Sequence, residues 1–222
     1  MRFLAFASDY DGTLAWQGKI ERQTLKALDE LKKTGRKLIL VTGRELPELL
    51  QIFPQAGIFD SVVAENGGVL YSPASGAMKL LTHPPSPEFV QRLRQKAVAP
   101  LSVGHSIVAT ILKHKTTVLN TILEMELDLH VILNIDAVMV LPTGVNKGTG
   151  LTAALAELGI AAHNVVGAGD AENDDSFLSL CGFSVAVANA IPSLKRRAHK
   201  TTKREHGAGV VELIQQIIAS DG

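Results

Sequence analysis

The sequence predicts an α/β protein, a doubly wound and mostly parallel sheet with a small α+β unit inserted into it. Three observations predict this. Short apolar runs alternate with amphipathic helical patterns up to about residue 72 and again after residue 146, the rhythm of strands crossing over through helices. Between those points the texture changes, with turn-rich punctuation and strands that follow one another directly. Three apolar runs also end in polar clusters, as strands do at the ligand-binding edge of an open parallel sheet. The 222 residues then divide into a core from 1–74 and 143–222 and an inserted unit over 75–142.

The elements follow in order. Residues 3–8 are an apolar run closed by Asp9, which reads as a buried strand. Leu25, Leu28 and Leu31 share one face of a helix over 23–34, and Gly35 is placed to cap it. The strand 37–41 stops at Thr42-Gly43-Arg44, and a short helix follows with Pro47 near its start. Strands at 61–64 and 69–72 flank the turn signal Glu65-Asn66-Gly67-Gly68. In the insertion, a proline-rich hinge at 83–87 leads into a helix over 87–98. A strand over 105–112, a helix over 117–127 and strands at 130–134 and 137–141 follow, the last two joined by a turn at Ile135-Asp136. The core resumes with a helix over 147–158 ended by Gly159, a strand over 164–167 that runs into Ala168-Gly169-Asp170, and a helix over 173–180. A strand over 183–187 and helices over 191–198 and 209–219 complete it.

Composition excludes several classes. Acidic and basic residues balance at 22 each, which argues against a global field for nucleic acid. The apolar fraction of 46% is enough for a packed core. One cysteine, Cys181, allows no intrachain disulfide and suits a reducing cytoplasm. No apolar run is long enough to span a membrane, and Asp9 ends the signal-like opening too early for a secretory leader. The basic residues from Lys195 to Arg204 have no interleaved aromatics and read as a solvated surface. The seven histidines lack the spacing of a zinc site.

The polar clusters carry the chemistry. In Asp9-Tyr10-Asp11-Gly12-Thr13, two carboxylates two residues apart repel unless a cation lies between them, and Gly12 permits a tight turn. Asp-Gly is also an ordinary turn pair. Asp170 and Asp174 are one helical turn apart and can face the same point, although Asp also serves as a helix N-cap. If the strand ends converge, four carboxylates meet in one crevice, and hard oxygen ligands without His or Cys select Mg²⁺. Lys147 at a helix start offers a positive charge. Thr42 and Gly43 offer a hydroxyl and amides at a helix start, an anion site.

With these four motifs in this order, the chain resembles the haloacid dehalogenase superfamily. The insertion between the second and third motifs, and Glu65-Asn66-Gly67-Gly68, are similar to its C2-capped branch of Cof and phosphoglycolate-phosphatase-like enzymes. The resemblance implies a Rossmann-like core with a C2-type cap. It implies a Mg²⁺-dependent phosphatase of small phosphorylated metabolites, such as phosphoglycolate or a sugar phosphate. Asp9 would be the nucleophile that forms an aspartyl-phosphate and Asp11 the general acid and base. Mg²⁺ would be held by Asp9, the Asp11 backbone carbonyl, Asp170 and Asp174. Lys147, Thr42, Gly43, Arg44 and Asn173 would bind the phosphoryl group or substrate. Two positions depart from the common pattern, Tyr10 for an aliphatic residue and Ala171 for Gly or Ser, and neither removes a reacting group.

Two other readings stay open on the sequence. A phosphomutase resembling phosphomannomutase would return the phosphoryl group to a sugar. A receiver-like phosphate-sensing module would use a similar acidic cluster with Thr and Lys but without a cap. The expected partner is a small metabolite rather than nucleic acid or a membrane, and the expected assembly is a monomer or homodimer in the cytoplasm.

Overall fold

The computed structural model describes residues 3–134 and 136–220. Met1, Arg2, Asp221, Gly222 and Ile135 of the expected turn lie outside the described residues.

The first half lays down one side of a large sheet. Strand β1 (Ala5–Ser8) leads into a small hairpin, β2 (Ala15–Trp16) and β3 (Lys19–Ile20), then α1 (Arg22–Lys33) and β4 (Lys37–Val41). Helix α1 ends as its sequence requires: Gly35 has φ +88° and its amide donates to the Lys32 carbonyl at 3.0 Å. Then come α2 (Leu46–Ile52), β5 (Ser61–Ala64), β6 (Val69–Ser72) and β7 (Ala77–Leu80). Strand β7 was not expected. Its four residues are exposed, so no alternation of burial marks it, and it is held by antiparallel pairing with β6. It falls within the 75–142 stretch expected as the insertion, yet it is the outer strand of the large sheet.

The inserted unit contains α3 (Pro87–Gln95), β8 (Leu101–Val103), β9 (Val108–Ile111), α4 (Lys115–Glu124), β10 (Leu129–Asn134) and β11 (Ala137–Pro142). Its strands form an antiparallel sheet in the order β10-β11-β9-β8. Strand periodicity divides β11 between two faces. Val138 and Val140 join Phe89, Leu93, Val118 and Ile122 under the two helices. Met139 and Leu141 cluster with Ile107 on the other face, and Met139 Sδ accepts a hydrogen bond from Asn66 Nδ2 at 2.9 Å. The expected strand over 105–112 begins only at Val108, because residues 104–106 form a loop captured by the buried Glu65. The Glu65 carboxylate accepts from Ser106 N at 2.7 Å, Ser106 Oγ at 2.9 Å and His105 N at 3.2 Å.

The core resumes with α5 (Lys147–Leu158), β12 (Val165–Gly169), α6 (Asp175–Leu178), β13 (Phe183–Ala186), α7 (Pro192–Arg197), β14 (Lys200–Thr201) and α8 (His206–Ala219). The expected helix over 173–180 is a 3-10 turn at Glu172–Asp174 followed by the four-residue α6. Helix α8 starts three residues before the expected 209. Gly207 and Gly209 read as breakers but are sites of close packing, since a Cβ on Gly207 would lie 2.8 Å from the Leu14 carbonyl oxygen.

The large sheet runs β14-β13-β12-β1-β4-β5-β6-β7, parallel from β14 to β5 and antiparallel at β6 and β7. Strands β1, β5 and β12 are buried at every position, as both faces of the sheet are covered. Helix α1 packs with α8, while α5 crosses β4, β5 and β6 and α6 lies on β12 and β13. The chain starts in the middle, builds one side through β7, and returns after the insertion to build the other from β12. The reversal between β1 and β12 is where such sheets bind ligands. Among the described residues, no helix is long and apolar enough to cross a membrane.

Candidate active site

Register brings the carboxylates together. Ser8 pairs with Ala168 and with Leu40, so the residues just past β1, β12 and β4 leave the sheet side by side. Asp9 follows β1, Asp170 follows β12 and Thr42 follows β4. One carboxylate oxygen from each of Asp9, Asp170 and Asp174 lies within 4.8 Å of the other two.

Lys147 is the counter-charge. It is the first residue of α5, where Asn146 caps the helix by accepting from Gly148 N at 2.9 Å and Thr149 N at 3.1 Å. A cation at a helix N-terminus opposes the helix dipole, and this one is only 2% exposed. Its Nζ donates to Asp9 Oδ1 and Asp174 Oδ1, both at 2.6 Å. Burial works against the charge, but Asp174 and Asp9 outweigh it and hold the ammonium pKa above its ordinary value.

The three acids differ in surroundings. Asp174 Oδ2 accepts from the amides of Asp170 at 2.8 Å and Ala171 at 2.9 Å, which closes the turn after β12. Asp170 Oδ1 accepts from Thr13 Oγ1 at 3.0 Å. Burial, then the neighbouring Asp174, push its carboxyl up to about 6. Asp9 is raised well above the usual carboxylate range, first by burial and then by Asp174, with Lys147 opposing. Asp9 Oδ2 is buried without a hydrogen-bond partner. Gly12 has φ +82°, and a Cβ there would collide with the Asp170 carboxylate, so only glycine lets the two loops meet.

Asp11 stands apart. Its two oxygens accept from Arg44, Oδ2 from Nε at 2.6 Å and Oδ1 from Nη2 at 2.8 Å, the bidentate geometry that arginine favours. This bonding raises the Arg44 pKa. Arg44 also pairs with Glu48 and lies 5.7 Å from the centroid of the Tyr10 ring. The Tyr10 hydroxyl donates to the Gly18 carbonyl at 3.0 Å and so ties the β2–β3 hairpin to the site. Arg44, expected on phosphate, is thus engaged with the neighbouring acid.

Thr42 and Gly43 lie on the loop between β4 and α2 rather than at a helix start. Helix α2 begins at Leu46 with Glu45 as its N-cap, and the Thr42 amide donates to Val63 O at 2.8 Å. Thr42 is nonetheless buried at the same edge, with Oγ1 accepting from the Arg44 amide at 3.1 Å. Asn173 is buried, and its Nδ2 donates to Asn66 Oδ1 at 3.0 Å.

A cavity of about 640 Å³ opens beside Asp11, Arg44 and Asp170. Its walls include Trp16 from the hairpin, Asn134 from the inserted unit, and Asn189 and His206 from the second half of the core. Sequence reasoning missed these four. Asn189 had a usable signal, since it follows β13 at the ligand-binding edge.

Comparison with known proteins identifies similar sequences and folds. A sequence model of haloacid dehalogenase-like hydrolases matches residues 6–99 and 105–214. Phosphoglycolate phosphatases of Methanothermobacter thermautotrophicus and Halobacterium salinarum are each 31% identical to the chain. The first alignment covers 96% of this chain and 98% of the relative, the second 95% and 96%. The crystal structure of a haloacid dehalogenase-like hydrolase from Bacteroides thetaiotaomicron superposes with a TM-score of 0.84 at 18% identity, over 97% of this chain and 100% of that one. The acidic cluster at the sheet's reversal point and a match along nearly the whole chain make this protein a member of the haloacid dehalogenase-like hydrolase family.

Proposed function

We propose that the protein is a Mg²⁺-dependent phosphatase that hydrolyses phosphomonoesters of small metabolites, phosphoglycolate or a sugar phosphate, through an aspartyl-phosphate. One observation carries the reading. Asp9 is a buried carboxylate with one oxygen fixed by Lys147 and the other left without a partner. Leaving such an atom unpaired costs free energy, which is consistent with an atom kept available for bonding to phosphorus or a cation.

The donor set fits a hard divalent cation. Asp9, Asp170 and Asp174 offer only oxygen, and three crowded carboxylates need positive charge between them. With the Asp11 backbone carbonyl they would hold Mg²⁺. When bound, Mg²⁺ lets an anionic carboxylate approach an anionic phosphate. The remaining chemistry belongs to the chain. Asp9 attacks phosphorus in line, forming one O–P bond as the ester O–P bond breaks. Asp11 gives its proton to the departing oxygen, then takes one from the water that releases inorganic phosphate. Lys147 and Thr42, with the Gly43 amide, hold the phosphoryl oxygens on which transition-state charge lies. Asn173 contributes to binding the substrate. Arg44 acts on Asp11, which must leave the guanidinium to reach the ester oxygen. The unit of α3, α4 and β8–β11 serves as the cap, and Asn134 brings it to the cavity wall.

Phosphoglycolate is the first substrate to test, because that is the named activity of relatives aligned over nearly the whole chain. The experiment is a phosphate-release screen over a panel of phosphometabolites, with Mg²⁺ and after exhaustive chelation. Release from at least one small phosphomonoester, abolished by chelation and by Asp9→Asn, is the expected result. Wild-type turnover by Asp9→Asn would refute the nucleophile, and turnover unaffected by chelation would refute the metal.

A further inference from the structure

The Gly12 carbonyl, next to the proposed acid Asp11, is gripped from outside the motif. Asn189 Nδ2 donates to it at 2.8 Å, and His206 Nδ1 lies 2.8 Å from it. A carbonyl only accepts, so Nδ1 carries the proton. The His206 amide in turn donates to Asn189 Oδ1 at 2.8 Å. These three bonds close a ring that joins the catalytic loop, the segment after β13 and the head of α8.

His206 sits in this ring with φ +49°. A side chain other than glycine in the left-handed region is strained and persists where its surroundings hold it. This backbone falls at the residue whose amide and imidazole both take part in the hydrogen-bonded ring. A face of the imidazole stacks on Trp16 with centroids 4.3 Å apart and planes at 29°. The Gly12 amide donates to Ala15 O at 2.9 Å, so the residue is held at both ends.

We propose that His206 is a positioning residue for Asp11. By holding the Gly12 carbonyl together with Asn189, it sets the turn that presents the Asp11 carboxyl to the leaving-group oxygen. The inference rests on the phosphatase reading above, in which Asp11 is the acid.

The test separates the donor from the ring stack. His206→Phe keeps an aromatic ring on Trp16 and removes the donor. His206→Asn places an amide nitrogen where Nδ1 stood, and asparagine tolerates left-handed backbone. The readout is kcat/KM on two substrates, the alkyl phosphomonoester the wild type cleaves fastest and p-nitrophenyl phosphate, whose leaving group needs little protonation. His206→Phe is expected to lose about tenfold on the alkyl ester, the worth of one well-placed hydrogen bond, and under about threefold on the aryl ester. His206→Asn is expected to recover most of the loss. A role in folding alone would lower both substrates together. Asn189→Asp keeps the acceptor for the His206 amide and removes the other donor to Gly12. It is expected to show the same alkyl-selective loss, and it carries the test if His206→Phe does not fold. Equal losses on both substrates, or an alkyl-ester rate within about twofold of wild type in His206→Phe or Asn189→Asp, would overturn the inference. Absence of phosphate release by the wild type from any monoester would overturn it together with the reading on which it rests.

Discussion

Replacing Lys147 with methionine tests the electrostatics of the site most directly. Methionine matches the length of the stem and removes the charge. At an effective dielectric constant of about 20, each 2.6 Å contact to Asp9 and Asp174 is worth about 6 kcal/mol of attraction. The cost of burying the ammonium offsets much of that, and removing one partner from a buried pair typically destabilises by about 3–5 kcal/mol. Asp9 and Asp174, left within 4.8 Å without a cation, would repel by about 3 kcal/mol at the same dielectric constant until one took up a proton. Lys147→Met is therefore expected to lose about 3–5 kcal/mol in urea unfolding at pH 8 in chelator, and less at pH 5, where a proton replaces the lost charge. Its kcat is expected to fall by about 10²–10³. A variant within about 1 kcal/mol of wild type at both pH values, as a solvent-exposed pair would give, would refute the reasoning.

Other perturbations follow from the same contacts. The Asp170 carboxyl titrates near 6 in the fold and at an ordinary 3.8 in the unfolded chain, so the folded state binds more protons between those values. Its contribution to stability is present below about pH 4 and is lost as pH rises to about 6. Mg²⁺ is expected to restore it above pH 6 and to bind progressively more weakly below, which calorimetric titration at several pH values would measure; affinity that did not fall below pH 6 would contradict the assignment. Gly12→Ala meets both the left-handed backbone and the Asp170 carboxylate. It is expected to raise the Mg²⁺ concentration for half-maximal rate by about tenfold or more, and an unchanged requirement would count against close contact of the two loops. Tyr10→Phe loses the bond to Gly18 and is expected to cost about 1 kcal/mol in denaturant unfolding, with no loss meaning that the hairpin is held without it.

Legibility in the sequence followed the strength of local signals. Strands β4, β5 and β6 and helix α5 fall where their apolar periods place them, with Gly159 ending α5 at φ +65°. Strands β7, β8 and β14 were missed because they are short and largely exposed edge strands, each held by a single pairing. Helix α2 begins at Leu46 with Pro47 near its start, as expected, which leaves Thr42 and Gly43 on the loop before it, where the Thr42 amide pairs with Val63. Arg44 was read from its place in the motif, and only the fold reveals that its guanidinium faces Asp11 rather than an open anion site.

By itself the sequence determined the α/β class, the identity of the acids and their lysine, and the oxygen-only donor set, because each depends on residue type and local period. Tertiary structure alone decided which of those groups touch. The 2.6 Å contacts of Lys147 join residues 138 and 27 positions apart, and His206 reaches Gly12 across 194 positions. Such contacts are fixed by strand order and register, and no stretch of sequence short enough to carry a local signal contains both partners.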